Sequence, residues 1–219
     1  PAAMKRIIAQ SWPPAIQMVS GFVVTIYFIR MMGSFGDTAQ AAYSIGLRLG
    51  MVGPMLAFPL AGATATLVAQ NLGARNIPRA WKSLWSGLSV HASLMITMAI
   101  LLFFYRVPFL QAFSTDAAVV KLGDEMLFYQ SLTFVALAFQ FVFFRALQGA
   151  GDVMFAMVTS VANSLFNVAL GTYLAINLDY GPTGIFISGL VSSALVTSVT
   201  AAWIATGRWT RKFPHAPRD

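Results

Sequence analysis

Six long apolar stretches dominate the chain, at Ser11–Met32, Ala41–Ala69, Ser83–Tyr105, Leu127–Leu147, Val153–Leu178 and Thr183–Thr206. A hydrocarbon core of about 30 Å needs roughly 20 mostly apolar residues in helical form. Each stretch meets that length and is too uniformly apolar for a helix of a soluble core. The sequence therefore predicts an all-α, polytopic membrane protein with six transmembrane helices.

The gaps between stretches orient the spans. On the side of the N-terminus lie Lys5, Arg6, Arg75, Arg79, Lys82, Arg145, Arg208, Arg211, Lys212 and Arg218; the opposite side holds Arg30, Arg106 and Lys121, and Arg48 falls within a span. Ten of the 14 basic residues thus share one side. Excess Lys and Arg mark the cytoplasmic face, so both termini are expected there. Asp37, Asp116, Asp124, Glu125 and Asp179 fall on the other side, which agrees but has little weight in topology.

The same pattern explains the net charge of +7 without a nucleic-acid partner, because the cations sit in short loops. Hydrophobic residues make up 58% of the chain and charged residues 10%, far below the roughly 25% charged content of soluble domains. No cysteine is present, which excludes disulfides and thiolate metal sites. The first span is too long for a cleavable leader. The chain starts at Pro1 rather than Met, and a processed or truncated start is expected, with a six-helix unit that is half of something larger.

Short loops predict antiparallel neighbours in one bundle over residues 1–219, with a basic, flexible tail at 207–219. Gly33 to Asp37 reads as a turn. In the next loop Gly73 closes one helix and the following helix starts after Pro78, beside Gln70 and Asn71. The longer gap 106–125 has room for a short interfacial helix, with Ser114 or Thr115 as N-cap. Gly149, Gly151 and Asp152 form a tight turn in which Asp152 is placed to cap the next helix. Small residues four apart (Gly46 and Gly50, Ser160 and Ser164, Gly189 and Ser193) let helix backbones approach closely.

The second span carries Pro54 and Pro59 amid several glycines. Proline removes a helix donor and frees a carbonyl one turn earlier. Two readings stay open: a broken helix lining a cavity, or a static kink. Polar residues at depth are the functional candidates. Arg48 either faces a cavity or snorkels to the surface. Asn163 and Asn167 lie one turn apart on one face, near Ser160 and Ser164, and Gln140 sits in mid-span. They line a polar pathway or hydrogen-bond between helices, the latter worth about 0.6 kcal/mol each. Abundant Phe and Met suit either an aromatic-lined cavity or simple lipid contact.

Chemistry of other kinds lacks its residues. His91 and His215 have no i+4 histidine or carboxylate partner, no phosphate-binding Gly-rich loop with Lys-Ser/Thr occurs, and no nucleophile–base set or metal set is visible. An enzyme is therefore not expected. No carboxylate lies deep in a span, although ion relays usually need one.

Several segments together resemble the multidrug and toxic compound extrusion (MATE) family. They are Ala41-Ala-Tyr-Ser-Ile-Gly-Leu-Arg-Leu-Gly50, Pro59-Leu-Ala-Gly-Ala-Thr-Ala, Leu67-Val-Ala-Gln-Asn-Leu-Gly-Ala-Arg-Asn76, Phe113-Ser-Thr-Asp116 and Arg145-Ala-Leu-Gln-Gly-Ala-Gly-Asp152. Gly184-Ile-Phe-Ile-Ser188 and Arg208-Trp209 also fit. The resemblance implies one lobe of a twelve-helix, two-lobe transporter, and the basic tail favours the C-terminal lobe. It implies a bacterial inner-membrane location, a bound lipid bilayer, an N-terminal six-helix lobe as partner (covalent or separate), and small organic, often cationic, substrates. It further implies export in exchange for H+ or Na+, with no other cofactor. Some relatives carry an acid in the first helix of this lobe and another in the fourth. Here Gln17 to Phe22 and Leu127–Leu147 hold none, so the coupling site is expected in the other lobe. Pro54, Pro59, Gln70, Asn71, Gly73, Arg145, Gly149, Gly151 and Asp152 are the structural or gating candidates, and Arg48, Gln140, Asn163 and Asn167, from their polarity at depth, are the candidates to line the cavity. A lipid-linked oligosaccharide or polysaccharide flippase of the same superfamily is the neighbouring alternative, and a non-transporting truncated fragment is the other.

Overall fold

The computed structural model describes residues 2–211, with the side chains of 2–7, 9 and 10 left aside. The remainder of the tail, including Lys212, His215 and Arg218, lies outside the described residues. Six long helices follow one another: α1 (Ala2–Ser34), α2 (Asp37–Gly73), α3 (Ile77–Gln111), α4 (Ala117–Gly149), α5 (Val153–Thr172) and α6 (Pro182–Ala205). A π-helical turn, Tyr173–Asn177, extends α5, and a 3-10 turn, Arg208–Arg211, follows α6. All six are long and apolar enough to cross a membrane. At 1.5 Å per residue, the longest, α2, is about 55 Å, so it overruns the hydrocarbon core at its ends.

The helices alternate in direction. One end of the bundle, here the terminal end, gathers the starts of α1, α3 and α5 with the ends of α2, α4 and α6. Trp203 Nε1–H near the end of α6 donates to Asp152 at the start of α5 (2.9 Å), and Trp209 packs edge-on against Trp81 of α3. At the far end, the Arg106 guanidinium of α3 pairs with Asp124 of α4 and lies over the Phe103 and Phe128 rings. Thr183 of α6 donates to Glu125 of α4 there (2.7 Å).

Packing divides the bundle. α2, α3 and α4 form one tightly packed trio, α1 and α5 form a pair, and α6 bridges them by lying against both α4 and α5. α4 and α6 are the most enclosed helices, α1 and α5 the least. Lipid is as apolar as leucine, so close backbone approach rather than hydrophobic burial selects the contacts. Gly46, Gly50 and Gly53 of α2 face Met126, Gln130 and Phe134 of α4, and a side chain at Gly46 would run into the Met126 sulfur. Gly149 lies against the Ala65 backbone of α2. The small residues at 46 and 50 are thus packing devices, as expected.

Several local expectations need correction. Of the two readings of the second span, the broken helix is excluded: α2 runs unbroken through Pro54 and Pro59, which leaves the static kink. The helical break lies instead at Tyr105 (φ −109°, ψ 15°), three residues before Pro108 of α3, in line with the clash of a proline ring against the preceding turn. Beyond that break a short helical stretch runs to Gln111, so the 106–125 gap does hold a short helix, joined to α3 across the kink and not started at Ser114 or Thr115. Asp116, not Ser114 or Thr115, caps α4: its side chain accepts from the Ala118 N–H (2.8 Å), while Ser114 Oγ accepts from the Asp116 N–H. Asp152 occupies the N-cap position of α5 but makes no capping bond; its Oδ2 accepts instead from the Trp203 indole N–H. The tail is ordered over its first turn, where Trp209 is completely buried. The expected α2–α3 turn does occur: α2 ends at Gly73, Arg75 takes a left-handed φ of 58°, and the Asn76 side chain accepts from the Arg79 N–H.

Candidate transport crevice

The crevice where the α1–α5 pair meets the α2–α4 trio holds two separate cavities. The far cavity, about 180 Å³, is lined by Phe28, Tyr43, Met126 and Phe186 and carries the polar groups of Thr25, Tyr129, Gln130, Thr133 and Asn167. The other, about 350 Å³, lies toward the terminal end. Pro14, Met18, Phe58, Phe141 and Phe144 wall it, and Gln17, Gln140, Arg145, Gln148 and Ser160 supply its polar atoms.

Each lining group is placed by helical periodicity. On α4, Gln130, Thr133, Gln140 and Gln148 recur on the same side as Leu137 and Phe144, a polar stripe in an apolar helix. On α5, Ser160, Ser164 and Asn167 do the same. α1 offers Gln17 and Ser20. Hydrogen bonds stitch the stripes together. Gln148 donates through Nε2 to Gln17 Oε1 (3.0 Å), Ser164 to Ser20 (3.3 Å), and Ser188 to Asn167 Oδ1 (2.8 Å). Tyr27 and Thr172 hydroxyls meet at 2.8 Å. At about 0.6 kcal/mol each, such bonds hold a geometry without locking it.

Of the residues singled out in the sequence, the structure brings Asn167 to the far cavity and Gln140 and Arg145 to the terminal-end cavity. Asn163 lines neither; its buried Oδ1, like Oε1 of Gln140, has no hydrogen-bond partner. Arg48 lines neither cavity and is exposed on α2, eleven residues and about 16 Å along the helix from Asp37. Gln70 is exposed at the end of α2, and Asn71 donates to the Leu67 carbonyl (2.8 Å) and Ser83 Oγ (3.0 Å), which ties the α2–α3 turn. Gly151 turns the α4–α5 connection with φ 82°. Gln17, Gln130, Thr133 and Gln148 went unnoticed as site residues in the sequence. Their signal was present as the period of polar residues along α4, which reading residues one at a time misses. No carboxylate lines either cavity, and no group of acids and histidines suited to a metal occurs among the described residues.

Comparison with known proteins fits this architecture. The MatE family model matches residues 13–173. Multidrug resistance protein MdtK of Photorhabdus laumondii is 28% identical over 91% of the chain, which spans 46% of that protein. A probable multidrug resistance protein NorM of Caulobacter vibrioides is 29% identical over 78% of the chain and 35% of its own length. Among solved structures, the Vibrio cholerae MATE transporter VcmN in its bent form superposes with a TM-score of 0.86 at 17% identity, over 95% of this chain and 48% of that one. The chain therefore spans less than half the length of these proteins, and the fold corresponds to one of their lobes.

Proposed function

Since the chain belongs to the MatE family, we propose that it is the C-terminal lobe of a two-lobe transporter that exports organic, often cationic, compounds in exchange for H+ or Na+. The observation that supports this most directly is the far cavity. It is a polar-lined cavity in a six-helix membrane bundle, with Phe and Met in its wall that can adapt to varied apolar shapes and offer ring faces to cations. Multidrug resistance proteins among its relatives point to the same substrate range.

Coupling is assigned to the other lobe. Neither cavity holds a carboxylate, and a buried acid is the usual means of exchanging a proton or sodium ion for a substrate. In this reading the present lobe binds and guides substrate, and the partner lobe supplies the exchange. Asn167 works from within the crevice. Arg48, exposed at depth on α2, faces the partner lobe across the cleft between them. The two lobes alternate access largely as rigid bodies. The stitched α1–α5 and α2–α4 groups keep this lobe intact during that motion. The clustering of basic residues on one side supports a cytoplasmic placement of both termini.

The test is ethidium efflux from proteoliposomes containing the protein purified from its source membranes. Imposed proton or sodium gradients should each be tried, and one should drive uptake of dye against its gradient. Equal dye movement with no gradient, or none with either, would refute antiport. Alanine at Arg48 or at Asn167 should lower the efflux rate several-fold while membrane abundance stays unchanged.

A further inference from the structure

The terminal-end cavity has a polarity that cation export does not call for. Arg145 sits in its wall four residues before the end of α4. One guanidinium nitrogen, Nη1, donates to Gln148 Oε1 (3.2 Å), and the plane lies over the Phe58 ring, 4.4 Å from its centre. Gln148 is bonded in turn to Gln17, so Arg145 has an amide partner on one side and a ring on the other. Arg145 makes no ion pair among the described residues. The nearest acid in sequence, Asp152, is buried and taken by Trp203. A guanidinium has five N–H donors in a fixed fork. Most of Arg145's remain unused beside an open volume of about 350 Å³.

The rest of the wall fits an apolar body. Pro14, Met18, Phe58, Phe141 and Phe144 form it, and Ser160 adds a hydroxyl. Gln140 adds an amide to the wall. The volume is at the small end of ligand pockets. It takes a head group and the first part of a chain, while the rest can run along the exposed apolar face of α1 beside Met18.

We propose that this cavity is a binding site for an anionic amphiphile, with a carboxylate or phosphate forked by Arg145 and an apolar chain against the Phe and Met wall. The forked geometry suits both acids, because each presents two oxygens to parallel N–H donors. The proposal goes beyond the export reading and does not depend on it, since it concerns binding and not transport.

The test uses the protein from source membranes in phosphatidylcholine nanodiscs, with radiolabelled laurate as probe. Laurate should bind saturably. Unlabelled dodecyltrimethylammonium, of equal chain length and opposite charge, should displace it poorly. Arg145→Gln should weaken laurate by at least about tenfold, the loss of a charged hydrogen bond. Ser160→Phe, which fills the cavity and keeps Arg145 in place, should weaken it comparably and serves if the first variant fails to fold. Phosphatidylglycerol in the nanodisc separates the sources. Competition with laurate identifies a lipid head group as the occupant, and its absence identifies a free amphiphile. The proposal is overturned if laurate does not saturate, if the ammonium displaces it equally well, or if a folded variant binds it as the parent does.

Discussion

At the residue scale, two contacts at the α4–α5 turn decide what the sequence could reveal. Gly149 and Asp152 were legible as turn residues because Gly, Ala, Gly and Asp in succession carry local turn chemistry. Their partners were not, since Ala65 is 84 positions before Gly149 and Trp203 is 51 after Asp152. Asp152 was read as a cap from its position alone, whereas an indole N–H arriving from α6 offers its buried carboxylate a partner that position cannot reveal. Trp203→Phe keeps the ring stacked on Phe155 and removes the donor. The stranded carboxylate should cost about 1–3 kcal/mol, read as a lower thermal midpoint in detergent. Gly149→Ala should be worse tolerated, because the new methyl meets α2 backbone and not a side chain that can turn aside. A Gly149→Ala protein with parental yield and midpoint would show that α2 and α4 can separate there.

At the element scale, hydropathy located every span, and the loops fixed their order. The bilayer makes this possible: unsatisfied backbone groups cannot face lipid, so a long apolar run has helix as its only open-chain solution. Breaks within helices were not legible in the same way. Pro54 and Pro59 pass through a continuous α2, whereas Pro108 is preceded by a kink at Tyr105. The same residue type gives different outcomes because the surrounding helices, absent from a local reading, decide whether the freed carbonyl is accommodated. Beyond that kink, Arg106 and Asp124 join α3 to α4. Their side chains are 25% and 34% exposed, so water screens the pair. A double-mutant cycle with Arg106→Gln and Asp124→Asn should give a coupling of about 1 kcal/mol or less, and smaller still in high salt. The polar stripe of α4 belongs to this scale too. Gln140 was visible alone, but the stripe becomes a site only when α1 and α5 close over it.

At the scale of the whole molecule, the six helices form a lobe with a tight trio, a looser pair and a crevice between them. The relatives are more than twice as long as the matched region. The family fold was legible from short segments spread along the chain, because their order is more specific than any one of them. Substrate and coupling ion were not, because the residues that discriminate an ion are charged groups at depth, and the crevice has none of the acids. The central claim is that this lobe works with another. It is tested most directly by immunoblot of source membranes with an antibody against the 208–219 peptide, followed by mass analysis of what copurifies. The account predicts either a species of about twice the 23.7 kDa of this chain or a species of that mass copurifying with a second six-helix chain of the same family. A 23.7 kDa protein that purifies without such a chain and still drives gradient-dependent efflux would contradict it.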